Sequence, residues 1–168
     1  MILIIEGPDL SGKTTIISKL GKTIKDGFVI KNLYKPSYPK DKKIWNQYLK
    51  ILNFHLENPD ILIILDRFYP SQEIYSYLRG EDEFRCKDAL DIENLIICKH
   101  DHLCIYLNTT KNDLYRRYRV RGDEHIKGSD IDKIKNRYDN FYESTKLNKI
   151  RLNSKWKNSI ERIIAKLK

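Results

Sequence analysis

Long apolar runs are missing from this sequence of 168 residues. The opening stretch, residues 1–5, is soon interrupted by charge and glycine, and no segment approaches the ~20 apolar residues of a membrane-spanning helix. The same stretch is too short for a secretory signal sequence. We therefore expect a soluble chain in the cytoplasm, or in the host cytoplasm if the source is viral, with no membrane partner.

Cysteine is scarce, with three residues, Cys86, Cys98 and Cys104, and neither a CxxC pair nor metal-ligand spacing. Cys98 and Cys104 fall in apolar stretches, which predicts small buried thiols. An odd count fits a reducing compartment. The histidines show no ligand spacing with cysteine or acidic residues and are expected to be structural or exposed: His55, His100, His102 and His125.

Alanine is nearly absent, occurring only at Ala89 and Ala165, whereas lysine is abundant and the net charge is +9. A charge of this size has two interpretations, a nucleic-acid surface or a diffuse bias in composition. The lysines are scattered over the whole length, which favours the second. Nucleic acid is therefore not an expected partner.

Short apolar runs alternate with helical periodicity along the chain. The predicted strands cover residues 2–6, 28–33, 61–65, 103–107 and 149–152. The predicted helices cover residues 13–25, 43–56, 71–78, 87–99, 111–121, 130–145 and 156–167. Within the second helix the residues available for one apolar face are Trp45, Tyr48, Leu49, Leu52 and Leu56.

This alternation predicts one α/β domain over residues 1–168, a three-layer sandwich with a five-stranded parallel sheet and helices on both faces. Ligands of such sheets bind beyond the carboxyl ends of the strands. The chemically suggestive motifs all fall at such ends, which indicates one site.

The first motif is Gly7-Pro-Asp-Leu-Ser-Gly-Lys-Thr14, which fits G-x-x-x-x-G-K-[ST] between a strand and a helix. Its glycines let successive backbone N–H groups point at an anion, and the helix adds its positive end. Lys13 can reach the phosphates and Thr14 can ligate Mg²⁺. The motif predicts a P-loop NTPase that binds ATP and Mg²⁺. The residues expected at the nucleotide are Gly7, Asp9, Ser11, Gly12, Lys13, Thr14 and Thr15.

A carboxylate and a guanidinium follow the third predicted strand, as Asp66 and Arg67. Asp66 stands where parallel-sheet P-loop proteins place a second carboxylate that organises magnesium. Arg67 beside it suits a site that holds both metal and phosphate, so both residues are predicted site residues.

The stretch Asp66–Tyr75, DRFYPSQEIY, resembles the DR[YF]xxSxxxY signature of thymidylate kinases, and we suspect a compact phage-like or viral-like member. The resemblance implies that Arg67 binds the acceptor monophosphate, that Ser71 and Gln72 approach the base, and that Tyr75 packs near the sugar. It extends to Asp9, the acidic residue two positions after the first P-loop glycine, which reaches toward the acceptor sugar in that family.

Residues 119–126, RVRGDEHI, resemble the lid of the same family, which would span about residues 111–127. Arginines that clamp the moving phosphoryl group lower the barrier to its transfer. The predicted catalytic residues are Lys13, Arg67, Arg117, Arg119 and Arg121. Arg121 precedes a glycine, as the catalytic lid arginine does in part of the family. The resemblance also implies a homodimer.

The loop after the second strand separates two acceptor classes. A nucleoside acceptor needs a carboxylate to take the proton of its 5′-hydroxyl group, and no acid lies between Asn32 and Lys40. A monophosphate acceptor needs only cations to hold it, such as Lys35. Tyr34 and Lys35 are therefore predicted to contact the acceptor.

Together these features predict a nucleoside monophosphate kinase that makes a deoxynucleoside diphosphate, with dTMP as the expected acceptor. Two other enzymes stay open, a deoxynucleoside kinase and a kinase of polynucleotide 5′-hydroxyl ends. A P-loop switch that controls a partner ranks last, because it has no use for the DRFYPS and RVRG segments.

Overall fold

The computed structural model of the chain describes residues 1–24, 27–30, 43–80, 86–123, 126–153 and 158–167. The described strands are β1 (Ile2–Glu6), β2 (Gly27–Ile30), β3 (Leu62–Asp66), β4 (His102–Asn108) and β5 (Lys149–Asn153). The described helices are α1 (Lys13–Thr23), α2 (Lys43–Glu57), α3 (Tyr69–Leu78), α4 (Cys86–Lys99), α5 (Lys111–Arg121), α6 (Ile131–Ser144) and α7 (Ser159–Leu167), with a 3₁₀ turn at Gly128–Asp130 before α6.

The strands form one parallel sheet in the order β2-β3-β1-β4-β5. β1 lies at its centre, and each of its residues is buried, which is why its sequence is a continuous apolar run closed by Glu6. Ile5 of β1 is in register with Asp66 of β3. The carboxyl ends of these two strands therefore lie side by side. The α/β class and the parallel sheet predicted from the sequence are confirmed.

Alternate residues of the strands serve two cores on opposite faces of the sheet. Ile4 and its like-facing neighbours pack with Tyr48 and Leu52 of α2 and with residues of α4. Ile5 and its like-facing neighbours pack with Ile17 of α1 and residues of α7. Helices thus cover both faces of the sheet, and the loops at its carboxyl edge rest on two buried layers.

A third apolar cluster joins α3, α5 and α6 and includes Tyr106 of β4. Its buried members include Ile74 of α3, Leu114 of α5 and Tyr138 of α6. Leu10, in the loop after β1, packs against it. The cluster therefore connects the P-loop to α5, the helix of the predicted lid, and to α3 and α6.

Two details of the sequence prediction are wrong. Leu49 and Leu56 are 40% and 47% exposed, because the buried face of α2 is set by Tyr48 and Leu52 one helical step away. Cys98 is exposed, since it falls on the outer side of α4, whereas Cys104 in the central layer is buried as predicted.

The last predicted helix begins at Ser159 within the part of the chain that the structure describes, and residues 154–157 lie outside it. α3 begins at Tyr69, two residues before the predicted start, with Pro70 in its first turn, where a missing N–H costs no hydrogen bond. None of the helices that the structure describes is long and apolar enough to cross a bilayer.

Candidate active site

The loop between β1 and α1 is shaped by two glycines. Gly7 has φ of 148°, and a Cβ atom there would lie 3.0 Å from the carbonyl oxygen of Leu107 and 3.0 Å from Oγ of Ser11. Gly12 has φ of 98° and caps the N-terminus of α1. Side chains at either position would strain the loop. The P-loop conformation thus follows from the glycine positions that the motif supplies.

Lys13 turns back over the loop that precedes it. Its Nζ atom donates to the carbonyl oxygens of Gly7 at 2.7 Å and Pro8 at 2.6 Å, and the residue is only 6% exposed. Burial, with a contribution from the Arg67 charge, lowers the pKa of Lys13 to about 7. The ammonium group is therefore held at the opening of the loop, and its protonation depends on nearby anions.

Arg67 leaves β3 in a left-handed backbone conformation with φ of 70°. The backbone N–H of Arg67 donates to the carbonyl oxygen of Ile5 at 3.1 Å, beside the carboxyl end of β1. A non-glycine residue in this region of φ costs roughly 1–2 kcal/mol and persists where neighbouring contacts hold it. The strained backbone aims the Arg67 side chain across the loop instead of along the strand.

The Arg67 guanidinium is held by side chains from three elements. It pairs with the Asp9 carboxylate of the loop and donates to the Ser71 hydroxyl of α3 at 3.1 Å. It also donates to the Tyr138 hydroxyl of α6 at 2.8 Å. The side chains of Arg67 and Asp9 keep 25% and 21% of their surface exposed. The guanidinium is therefore fixed in orientation yet still open to an anion.

Asp9 is also contacted by Tyr75, whose hydroxyl donates to its second carboxylate oxygen at 2.5 Å. The Cζ atom of Arg67 lies 5.1 Å from the centre of the Tyr75 ring. Burial and the Asp9 carboxylate raise the pKa of Tyr75, so its hydroxyl stays a donor at neutral pH. The structure thus unites three predicted acceptor residues, Asp9, Arg67 and Tyr75.

Glu6 lies beneath this group with no exposed surface. Its carboxylate accepts from the Ser71 hydroxyl at 2.6 Å and from the Phe68 N–H at 2.7 Å. Burial raises the pKa of Glu6 despite the opposing charges of Arg67 and Lys13. Glu6 therefore orders the start of α3 and does not face the solvent.

A cavity of about 860 Å³ opens beside the P-loop between α1, α5 and α7. The predicted residues that line it are Asp9, Gly12, Lys13, Thr14, Thr15, Asp66, Arg67, Arg117 and Arg121. Further lining residues that were not among the predicted site residues include Arg116, Val120, Ser159 and Ile160. Arg119 is not among the described residues that line the cavity, because it points away from the face of α5 shared by Arg117 and Arg121.

Other predicted residues have different surroundings. The Gln72 amide donates to Ser76 on the same helix at 3.3 Å. Ser11 is fully buried inside the loop. Tyr34 and Lys35 lie outside the described residues. Tyr138 was missed by the sequence analysis, because no local motif links it to Arg67, 71 positions away.

No family model matches the chain. Among curated proteins, it is 29% identical over 134 residues to the SPbeta prophage-derived uncharacterized protein YorR of Bacillus subtilis (strain 168). The match covers 79% of this chain and 76% of that protein.

Solved structures share the fold over nearly all of the chain. The crystal structure of YorR from Bacillus subtilis in complex with phosphorylated GDP has a TM-score of 0.74 at 25% identity, covering 99% of this chain and 95% of YorR. Deoxyadenosine kinase from M. mycoides with bound dATP has a TM-score of 0.63 at 19% identity, with 99% and 98% covered. Thymidylate kinase from Candida albicans has a TM-score of 0.60 at 18% identity, with 99% and 88% covered. The fold is therefore one used by nucleoside and nucleotide kinases, and thymidylate kinase is one of several such neighbours.

Proposed function

We propose that this chain transfers the γ-phosphoryl group of ATP to the 5′-phosphate of a deoxynucleoside monophosphate, with dTMP as the expected acceptor. The observation that carries the proposal is the position of Arg67. Its guanidinium is fixed by Asp9, Ser71 and Tyr138 beside the phosphate loop, and a quarter of the surface of its side chain remains exposed. A cation held in this way suits a second anionic substrate facing the first.

The donor side consists of the loop and the cavity next to it. Backbone N–H groups of the loop and the start of α1 attract the phosphates, and Lys13 adds a full charge. Val120, which is 85% exposed, and Ile160 supply apolar surface of the cavity for the base of the donor. We therefore assign the cavity to the nucleoside triphosphate.

Magnesium fits the oxygen donors of this cavity. Thr14 and Asp66 both line it and carry such oxygens, and Mg²⁺ takes few protein ligands beside water and phosphate oxygens. Bound there, the ion would neutralise phosphate charge and orient the γ-phosphate.

The acceptor side is built around Arg67, which we assign to the monophosphate. Asp9 and Tyr75 are assigned to the sugar, because they form a fixed polar pair next to that guanidinium. Ser71 orients Arg67, and Gln72 is assigned to the base as the next polar residue of α3. Tyr34 and Lys35 complete the acceptor contacts expected from the sequence.

The transfer forms a bond between a phosphate oxygen of the acceptor and the γ-phosphorus and breaks the bond to the β,γ-bridging oxygen, giving ADP and a deoxynucleoside diphosphate. No proton must be removed, since the attacking oxygen is already anionic. Arg121, on the cavity face of α5, is assigned to the charge that spreads over the moving group.

A deoxynucleoside kinase is the second candidate, which the fold shared with deoxyadenosine kinase keeps open. That reaction needs a carboxylate facing the 5′-hydroxyl group. Glu6 has no exposed surface, and each carboxylate oxygen of Asp9 already accepts a hydrogen bond. These contacts support the monophosphate acceptor.

The test is a coupled assay of ADP release with Mg-ATP against the four deoxynucleoside monophosphates, UMP, thymidine and a 5′-hydroxyl oligonucleotide. We expect turnover with at least dTMP and none with thymidine. Turnover with thymidine alone would replace the proposal by the nucleoside kinase. Turnover with the oligonucleotide alone would give the +9 charge a function in polynucleotide binding.

A further inference from the structure

The P-loop contains a turn whose third residue is poorly suited to its backbone conformation. The Ser11 N–H donates to the Pro8 carbonyl oxygen at 3.2 Å, which closes a four-residue turn. Leu10 has φ of 63°, whereas Asp9 is not among the residues with positive φ. This combination is that of a type II turn, in which glycine or asparagine normally occupies the third position. Leucine there is strained.

Two contacts hold Leu10 in this conformation. Its side chain packs against the apolar cluster of α3, α5 and α6. Its carbonyl oxygen accepts a hydrogen bond from Nη1 of Arg117 on α5 at 2.6 Å. The guanidinium of a lid helix therefore binds the backbone of the phosphate loop at its strained residue.

We propose, on the basis of the phosphotransferase function proposed above, that Arg117 is a positioning residue that acts through Leu10. By binding the Leu10 carbonyl oxygen, Arg117 keeps the turn closed and the neighbouring N–H groups directed at the donor phosphates. Without this bond, Leu10 relaxes toward negative φ, the peptide group between Asp9 and Leu10 rotates, and the cradle loses its shape. The order of the loop thus depends on the position of α5.

This role differs measurably from a direct contact with the transferred phosphoryl group. An arginine that stabilises only the transition state lowers kcat when removed, and its effect is independent of the residue at position 10. Removal of an arginine that holds a strained turn raises the donor KM instead. Its effect disappears when the strain is removed, because glycine adopts positive φ without cost.

The experiment is a double-mutant cycle with Arg117→Gln and Leu10→Gly, measuring the KM and kcat for Mg-ATP. We expect Arg117→Gln to raise the donor KM about tenfold, as loss of a hydrogen bond to a charged group does. In the Leu10→Gly background the same change should raise it less than about twofold, a coupling typical of residues in contact. Leu10→Asn provides a second background, since asparagine tolerates positive φ and keeps a side chain. Equal losses in all backgrounds, or a loss confined to kcat, would overturn the proposal.

Arg116→Gln is the matched control, because Arg116 lies on the same helix and lines the same cavity but bonds to Asp113. We expect its effect to be the same with leucine or glycine at position 10. Arg117→Lys should restore part of the donor affinity, since an ammonium group can also donate to the carbonyl oxygen.

If the wild-type chain transfers phosphate to no acceptor, the proposed function fails. Equilibrium binding of ATP to the same variants then decides the coupling by itself.

Discussion

The Tyr138 hydroxyl accepts a hydrogen bond from the Arg67 guanidinium at 2.8 Å and lies 2.7 Å from the Ser71 hydroxyl. The Ser71 hydroxyl donates its hydrogen bond to the Glu6 carboxylate, so Tyr138 is the donor in its contact with Ser71. Tyr138 has no exposed surface and belongs to the apolar cluster of α3, α5 and α6. A tyrosine from a distant part of the chain therefore sets the direction of Arg67, the arginine that we propose to bind the acceptor.

Replacement of Tyr138 by phenylalanine should weaken acceptor binding while the fold survives. The ring still fills its place, but Arg67 loses one of the bonds that fix its side chain. Because a hydrogen bond to a charged group contributes about 1.5–3 kcal/mol, we expect the acceptor KM to rise about tenfold or more. Steady-state kinetics with dTMP as the varied substrate measure this change.

Tyr106→Phe is the control for that experiment. Tyr106 belongs to the same cluster and is equally buried, but its hydroxyl donates to Asp139 instead of contacting Arg67. We expect a lower melting temperature and an unchanged acceptor KM. If both variants raised the KM equally, general loosening of the cluster would explain the effect and Tyr138 would lose its specific role.

Removal of the Arg121 side chain should impair the chemical step. Arg121 lines the cavity beside the P-loop from α5, and a clamping arginine stabilises charge that develops during phosphoryl transfer. For Arg121→Ala we expect kcat to fall about 100-fold or more, with a smaller change in the KM values. Arg119→Ala, two positions away and off the cavity-lining face, should leave kcat within about twofold. Similar losses of kcat in the two variants would mean that the general positive charge of α5, and not the position of Arg121, causes the effect.

The parts predicted best from the sequence are those with local causes. The helix over 111–121 was predicted with its bounds, because Thr110 caps its start, accepting from the Asp113 N–H, and Gly122 follows its end. The P-loop was predicted because its glycines and flanking elements are contiguous. In each case the signal and its structural consequence lie within about ten residues.

The parts missed have causes that are distant in sequence. The contact between Arg67 and Tyr138 depends on how α6 packs against α3, which no spacing in the sequence encodes. The strained turn at Leu10 was also invisible, since leucine gives no sign of positive φ. The run of arginines on α5 identified the helix that lines the site, but only the packed structure separates Arg121 from Arg119.

Loss of the Lys13 proton should weaken donor binding at alkaline pH. Its folded-state pKa is lowered to about 7, so the free enzyme loses this positive charge as the pH rises through that value. We expect kcat/KM for Mg-ATP, which reports the free enzyme, to decline above pH ~7. In Lys13→Arg the guanidinium stays charged, and this decline should be absent even though turnover is slower. A wild-type profile that stays flat to pH ~9 would contradict the assignment.

A pair of buried histidines at the opposite end of the sheet should make the fold sensitive to acid. Nδ1 of His55 lies 3.0 Å from Nδ1 of His100, and the residues are 4% and 6% exposed. Burial lowers the pKa of both, and the proximity of His55 helps to lower that of His100 to about 4. The two rings can share one proton but cannot both be charged at this distance.

The sign of the pH effect follows from these shifts. Between pH ~6.5 and ~4 the unfolded chain binds protons that the folded pair does not, so the free energy of unfolding falls as the pH falls through this window. We expect a loss on the order of 2 kcal/mol, measured by urea unfolding at several pH values. The double variant His55→Leu, His100→Leu lacks both titrating groups, and its stability should change less over the same window. An equally steep decline in that variant would place the acid sensitivity in other groups, such as the carboxylates around Arg67.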